Sequence, residues 1–315
     1  MRATTLWTSA LAAGMALATV PAYRDLPPDL AGRAPFAVIG DPQEPFLWET
    51  SIMGRENNVA ERAFLFSALE SLRPAFLVIS GDLTASGSSA RRWRYFDQLT
   101  AVLRAQGTPI LPVLGNHDYW GNNALALREF SARFAQFSAS HWYLRRYGSL
   151  ALVFLDANAQ DLGVDAWQRQ QQWLVRTLAE LDADASVAGV LLFEHQPPFT
   201  NSTVTFDDVA VQHAFVPAFV RAHKTLAMIS GHTHAYEHFV EQGKHFVVSG
   251  GGGGPRVALR SGPSAGHRDL FSGPSPRPFH LLWITPGAHS VWVEVRGFNK
   301  GANTLRTIDQ FELNW

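Results

Sequence analysis

Five apolar runs in this chain each break off into a short cluster of metal-ligating residue types, and that repeated pattern constrains the fold more than any other feature. The runs are Phe36–Ile39, Phe76–Ile79, Ile110–Leu114, Val190–Phe193 and Leu226–Ile229. The clusters that follow are Gly40-Asp41-Pro42-Gln43, Gly81-Asp82, Gly115-Asn116-His117-Asp118, Glu194-His195 and Gly231-His232-Thr233-His234. Short apolar runs closed by turn residues read as strands covered on both faces. In α/β sheets the loops beyond the carboxyl ends of strands form the binding crevice, so the five clusters are expected to converge.

Between these runs, apolar residues recur at helical spacing in Asn57–Leu72, Arg91–Arg104 and Asp165–Leu181, and a fourth helix is expected over Asp207–His223 with a kink or boundary at Pro217. Leu150–Leu155 is a further strand, ending in Asp156-Ala157-Asn158. Late in the chain His245–Val248, Phe279–Thr285 and Ser290–Val295 follow one another without long helices, which predicts antiparallel pairing. A β-rich, layered α/β structure results, not a plain doubly wound sheet. Residues Gly250–Pro278 are rich in Gly, Pro and Ser and carry Arg256, Arg260, Arg268 and Arg277. So long an irregular loop is uncommon in a domain core. The run Gly250–Gly254 lacks the spacing and the Lys-Ser/Thr of a nucleotide loop, and predicts backbone passing close beside the metals. The loop arginines read as solvated charge.

Hydrophobic content of 46% and charged content of 17% belong to a globular protein with a sizeable core. A net charge of −1 offers no broad basic surface for nucleic acid, and the absence of cysteine excludes disulfides, zinc ribbons and thiol catalysis. Arg2, the apolar stretch Leu6–Val20 and the small residues around Val20-Pro21-Ala22 read as a signal peptide over residues 1–22. The stretch falls short of the ~20 residues that span a bilayer. The expected product is a periplasmic or secreted protein without a transmembrane segment, one catalytic domain over residues 23–315.

Two cations about 3.5–4 Å apart can activate water and clamp phosphoryl oxygens. Such a pair needs one bridging carboxylate and mixed oxygen and nitrogen donors, which the five clusters supply. Mixed donors suit Mn, Fe or Zn better than Mg or Ca.

The order Asp-x-Gln, Gly-Asp, Gly-Asn-His-Asp, His, Gly-His-x-His resembles the calcineurin-like metallophosphoesterases, from about Phe36 to Gly253. That resemblance implies a four-layer αββα sandwich of two mixed β-sheets flanked by helices. It implies two divalent or mixed-valence metal ions, one held by Asp41, Gln43, Asp82 and His234, the other by Asp82, Asn116, His195 and His232. His117 would be the catalytic histidine and Asp118 would orient it. The implied reaction is hydrolysis of a phosphate ester or diphosphate bond by metal-activated hydroxide, acting on a small phosphorylated substrate, a nucleotide-like one among the candidates. Most of the family has histidine where this chain has Gln43. Gln at this place is found both in enzymes that cleave nucleotide diphosphate linkages and in a protein-phosphatase branch. The stretch Gly231–His238 resembles purple acid phosphatases, but Ala85 stands where they carry a ligating tyrosine.

Asn57, Asn58, Tyr119, Trp120, Phe199 and Tyr236 adjoin the clusters and are candidates for substrate contact, with wall packing as the competing reading. His141, His213, His223, His245, His280 and His289 match no motif and read as structural or exposed. His238 is not read as a metallo-β-lactamase ligand, because Glu237 stands where that motif needs aspartate. The rival function is a metal-poor calcineurin-like fold serving as a binding scaffold, which usually lacks ligands or the catalytic histidine. A metal hydrolase acting on C–N or C–O bonds is a third class, disfavoured by the placement of Gly-Asn-His-Asp.

Overall fold

Alternation along the central strands decides how the layers stack. In the computed structural model, which describes residues 20–315 apart from Asp29 and Ala31, twelve strands form two six-stranded sheets. The predicted signal peptide therefore lies outside the described residues except at Val20–Ala22. The strands are β1 (Phe36–Ile39), β2 (Leu77–Ile79), β3 (Ile110–Pro112), β4 (Tyr143–Tyr147), β5 (Leu150–Phe154), β6 (Gly189–Phe193), β7 (Thr225–Ser230), β8 (Tyr236–Glu241), β9 (Lys244–Ser249), β10 (Phe279–Pro286), β11 (Ser290–Phe298) and β12 (Arg306–Asn314). Leu152, Phe154, Leu191, Phe193, Ala227, Ile229 and Val247 join one core with β1, β2, β3 and β10. Their alternate neighbours Ala151, Val153, Val190, Leu192, Met228, Phe246 and Val248 pack instead on helices through Leu174, Leu178, Phe215 and Phe219. Successive side chains on a strand point to opposite faces, so sheet meets sheet on one side and helix on the other. This is the calcineurin-like sandwich of two mixed sheets flanked by helices.

The first sheet runs β12-β11-β10-β1-β2-β3 and the second β4-β5-β6-β7-β9-β8. Strands β1, β2 and β3 are mutually parallel, and β10, β11 and β12 pair antiparallel, β10 closing on β1. The expected antiparallel pairing of the late strands holds for β10 and β11. For β9 it holds on one side: β9 pairs antiparallel with β8 and parallel with β7.

The predicted helices form, two of them in two pieces, and Asn123–Arg133 is a further helix that the sequence reading did not include. The predicted helix Arg91–Arg104 is two, Ala90–Leu99 and Ala101–Ala105. They meet at Thr100, whose hydroxyl donates to the Phe96 carbonyl at 2.8 Å and competes with the helical ladder. The helix predicted over Asp207–His223 divides into Val209–Ala214 and Val216–Arg221. Pro217 sits in the first turn of the second, where a missing N–H costs nothing. Residues 250–278 are irregular as expected. Their arginines are largely engaged: Arg256 pairs with Glu56 at 2.7 Å and Arg277 with Asp269 at 2.7 Å. No described helix is long and apolar enough to cross a membrane.

Candidate metal centre

Three of the five loops turn through left-handed backbone at or beside a ligand. Asp41 has φ 59°, Asp82 φ 53° and His232 φ 64°. Non-glycine residues there cost about 1–3 kcal/mol each and persist when neighbours over-determine them. The neighbours here are the other loops. Asp41 accepts the His232 backbone N–H at 2.9 Å, and its carbonyl accepts the Gly254 N–H at 2.9 Å. Asp82 Oδ1 accepts the His117 N–H at 2.9 Å. Each strained turn is thus pinned by a loop from elsewhere in the chain.

These turns bring seven titratable or amide side chains to one place, Asp41, Gln43, Asp82, Asn116, His195, His232 and His234. Ligand atoms of Asp41, Asp82 and His234 lie within 4.8 Å of one another, and so do those of Asp82, His195 and His232. Asp82 belongs to both groups and turns a different oxygen to each. Its Oδ1 is 3.4 Å from His195 Nε2, while its Oδ2 is 3.1 Å from Gln43 Nε2. Asn116 Oδ1 completes the second group, 3.1 Å from His195 Nε2. His234 Nε2 completes the first, 3.4 Å from Asp41 Oδ1.

The imidazoles are aimed from behind. His195 Nδ1 is 2.8 Å from the Ser80 carbonyl and His234 Nδ1 is 2.8 Å from the Pro255 carbonyl. A carbonyl there requires an N–H, which leaves each Nε2 free as a donor of its lone pair. Two glycines make room. A Cβ on Gly81, whose φ is 87°, would stand 2.3 Å from His195 Nδ1, and one on Gly254 would stand 2.5 Å from His234 Cε1. The run Gly250–Gly254 therefore passes close beside the ligands, as its composition predicts.

The donor set fits a pair of cations by one test in particular. Gln43 directs Nε2 at Asp82 Oδ2 and at His234 Nε2, 3.2 Å away, leaving Oε1 buried without a partner. Turning the amide over exchanges the two atoms and sets Oε1, a neutral oxygen donor, beside Asp82 and His234. Charge within the cluster is balanced internally. Burial opposes ionisation of Asp82, but His195 and His117 outweigh it and hold its carboxyl far below the usual range. Burial disfavours the cation on His195, yet Asp82 beside it pushes the imidazole up to about 10. Burial, reinforced by His195, takes His232 down to about 3, a neutral ligand. Metal binding here would expel the protons that such groups hold.

His117 stands at the edge of this cluster, its Nε2 3.9 Å from Asp82 Oδ2. Its Nδ1 is 3.0 Å from the Ala85 carbonyl, so that carbonyl orients the ring. The expected orienting role of Asp118 needs correction. Asp118 accepts backbone N–H groups from Leu83 at 3.1 Å, Thr84 at 3.3 Å and Gly115 at 2.9 Å. It ties the Asp82 loop to the Asn116 loop and positions His117 through the backbone.

The substrate candidates divide. Tyr119 is buried, its hydroxyl on Asp156 at 2.5 Å and on His141 at 2.9 Å, and Tyr236 is buried with its hydroxyl on Asp309 at 2.7 Å. Neither faces the metal ligands, because a tyrosine hydroxyl in a core takes a polar partner and these found theirs behind the loops. Phe199 packs on Phe246. Asn57 is exposed, and its neighbour Asn58 is the one tied to the centre, donating to the Gly254 carbonyl at 3.0 Å. Trp120 alone of the six lies open beside His117, ring centroids 3.8 Å apart. Sequence reading missed Phe46 and Trp48, which join Trp120, and the backbone carbonyls of Ser80, Ala85 and Pro255, whose placement no side-chain pattern encodes.

A family model described as calcineurin-like phosphoesterase matches residues 34–236. Among solved structures, the fold is similar to GAP50, described as the anchor in the inner membrane complex of Plasmodium, with TM-score 0.65, 16% identity and coverage of 90% of this chain and 89% of that one. It is also similar to the purple acid phosphatase PPD1 from yellow lupin (Lupinus luteus), with TM-score 0.66, 17% identity and 92% of this chain, spanning 55% of that longer protein. A dimetal phosphatase from Danio rerio matches with TM-score 0.59, 16% identity, and 90% and 99% coverage. At these identities the likeness is one of fold. No curated protein matches.

Proposed function

The chain belongs to the calcineurin-like phosphoesterase family, and from that premise we propose that it is an exported binuclear-metal hydrolase of a phosphate ester or diphosphate bond. The observation that carries this reading is Asp82, which turns one carboxylate oxygen to His195 and the other to Gln43. A carboxylate with a separate donor group on each oxygen is what a bridging ligand requires. Asp41, Gln43 and His234 would share it on one side, Asn116, His195 and His232 on the other. Cations held there would supply positive charge to phosphoryl oxygens and lower the pKa of a water. The mixed donors favour Mn, Fe or Zn. His117 would work from the side, keeping Nδ1–H on the Ala85 carbonyl. When protonated, its Nε2 can then give a proton to the departing oxygen.

Hydrolysis of bis-p-nitrophenyl phosphate by residues 23–315 tests the reading, run metal-stripped and again with Mn restored. Metal-dependent turnover with two ions per chain supports it. Bound metal without turnover on diesters, monoesters and nucleotide diphosphates counts against it. Export rests on the Leu6–Val20 stretch and is tested by fusing residues 1–22 to a reporter active outside the cytoplasm.

A scaffold is the second reading, because the similar GAP50 fold is described as an anchor. Against it stands the full ligand set with His117 present, which a pure scaffold has no reason to keep.

A further inference from the structure

Beside His117 lies an aromatic surface that the metal ligands do not use. Trp120 follows the Asn116 loop and is 41% exposed. Phe46 and Trp48 follow the Asp41 loop, and Trp48 is 47% exposed. The rings form a shingled stack. Centroids are 3.8 Å apart for His117 and Trp120, 5.7 Å for Trp120 and Phe46, and 6.1 Å for Phe46 and Trp48, at interplanar angles of 32°, 22° and 19°. Rings that packed a wall would be covered; these leave nearly half of two tryptophans open at the mouth of the site.

The stack is also held in place. The Arg92 guanidinium lies 4.8 Å from the Phe46 ring and is itself fixed by Glu44 at 2.7 Å. The Trp120 carbonyl accepts from the Ser86 hydroxyl at 3.1 Å and from the Ser88 N–H at 3.2 Å. Glu49 accepts the Phe46 N–H at 2.8 Å and anchors the turn into the short helix Leu47–Ser51. Ordered, flat faces bind flat ligands at little conformational cost.

We propose that this stack is the leaving-group subsite and that the leaving group carries a planar aromatic ring, as a nucleoside does. The inference rests on the phosphoesterase reading. In that reaction water oxygen bonds to phosphorus and the ester P–O bond breaks. Its electron pair stays on the leaving oxygen, which takes a proton from His117. The rest of the leaving group then lies on the His117 side of the donor cluster, where Trp120 is. An acyl chain would seek a groove, whereas these rings present nearly parallel plates.

The test is equilibrium dialysis of the Mn-loaded protein against two non-hydrolysable phosphonates, the analogues of AMP and of ribose 5-phosphate, with carbon replacing the scissile oxygen. The two differ by the base alone. Stacking predicts that the AMP analogue binds at least about fivefold tighter. Trp120→Ala should bring the ratio toward one, and Trp120→Phe should retain most of it. Equal binding of the two analogues by the unaltered protein overturns the subsite, even if bis-p-nitrophenyl phosphate is hydrolysed. Tighter binding of dodecylphosphonate, below its micelle concentration, than of the AMP analogue also overturns it, in favour of an acyl or membrane-facing role. Absence of bound metal together with absence of turnover removes the phosphoesterase reading itself, and the subsite falls with it.

Discussion

Asn116 Oδ1 lies 3.1 Å from His195 Nε2, and the two side chains come from different sheets. Asn116 follows β3 of the first sheet and His195 follows β6 of the second. The first donor group straddles the same seam, with Asp41 after β1 and His234 after β7. Each cation would therefore be gripped from both sheets.

Asn116→Ala and His195→Ala should each lower metal content toward one ion per chain. Activity should fall about 100-fold or more, since even the outer partners of a metal ligand are worth 10–100-fold. Metal analysis of the dialysed variants, beside their bis-p-nitrophenyl phosphate rates, checks this. Two ions retained by His195→Ala would remove His195 from the ligand set.

Gly254→Ala places a methyl 2.5 Å from His234 Cε1, where the imidazole must move aside. Metal affinity at the first position should weaken by roughly 10–100-fold, because ligand orientation is what the loop supplies. Titration of the stripped variant with Mn measures it. An unaltered affinity would show that Gly254 does not set the position of His234.

Tyr236→Phe removes a hydroxyl donated to Asp309 at 2.7 Å without touching the metal ligands. A hydrogen bond to a charged acceptor is worth about 1.5–3 kcal/mol. The melting temperature should drop while KM stays where it was. A raised KM with unchanged stability would return Tyr236 to the substrate.

Glu237 carries a pH dependence that its conservative variant should erase. It is buried, accepting from the Thr200 hydroxyl at 2.6 Å and the Asn201 N–H at 2.8 Å. Burial, partly offset by these bonds, raises its carboxyl to about 7 from an ordinary value of 4.5. A folded value above the unfolded one means that its contribution is fully present below pH 4.5. It is then lost as pH climbs through 7, by up to about 3 kcal/mol. Glu237→Gln should therefore gain on the unaltered protein as pH rises from 5 to 8, in paired calorimetric scans. A constant difference between the two across that range would refute the assignment.

The five strands that lead into the site were legible because each holds a short apolar run closed by glycine or a polar cluster. The clustering of the candidate site was legible because its donor side chains are chemically distinctive and each follows a strand. What sequence did not disclose was of two kinds. Strand β4 (Tyr143–Tyr147) contains Arg145 and Arg146, and β12 alternates polar residues at the sheet edge, so neither resembles a buried run. Asp118 was misassigned because adjacency to His117 suggested contact. The short helix Asn116–Tyr119 turns the carboxylate away from the ring and toward backbone N–H groups. Phe46 and Trp48 were passed over because aromatics at a loop resemble ordinary packing until their exposure is known.

All of the second sheet, β4 to β9, is inserted in the chain between β3 and β10. During synthesis that sheet can assemble from neighbouring stretches as they emerge, whereas β1 must wait for Phe279–Pro286 to gain its antiparallel neighbour. Contacts of such long sequence separation form slowly and late. The Asp41 loop is thus made near the beginning and locked into the finished sheet near the end. A chain arrested before residue 279 would carry every candidate metal-ligating residue and still lack the closed first sheet that holds Asp41 and Asp82 against the second.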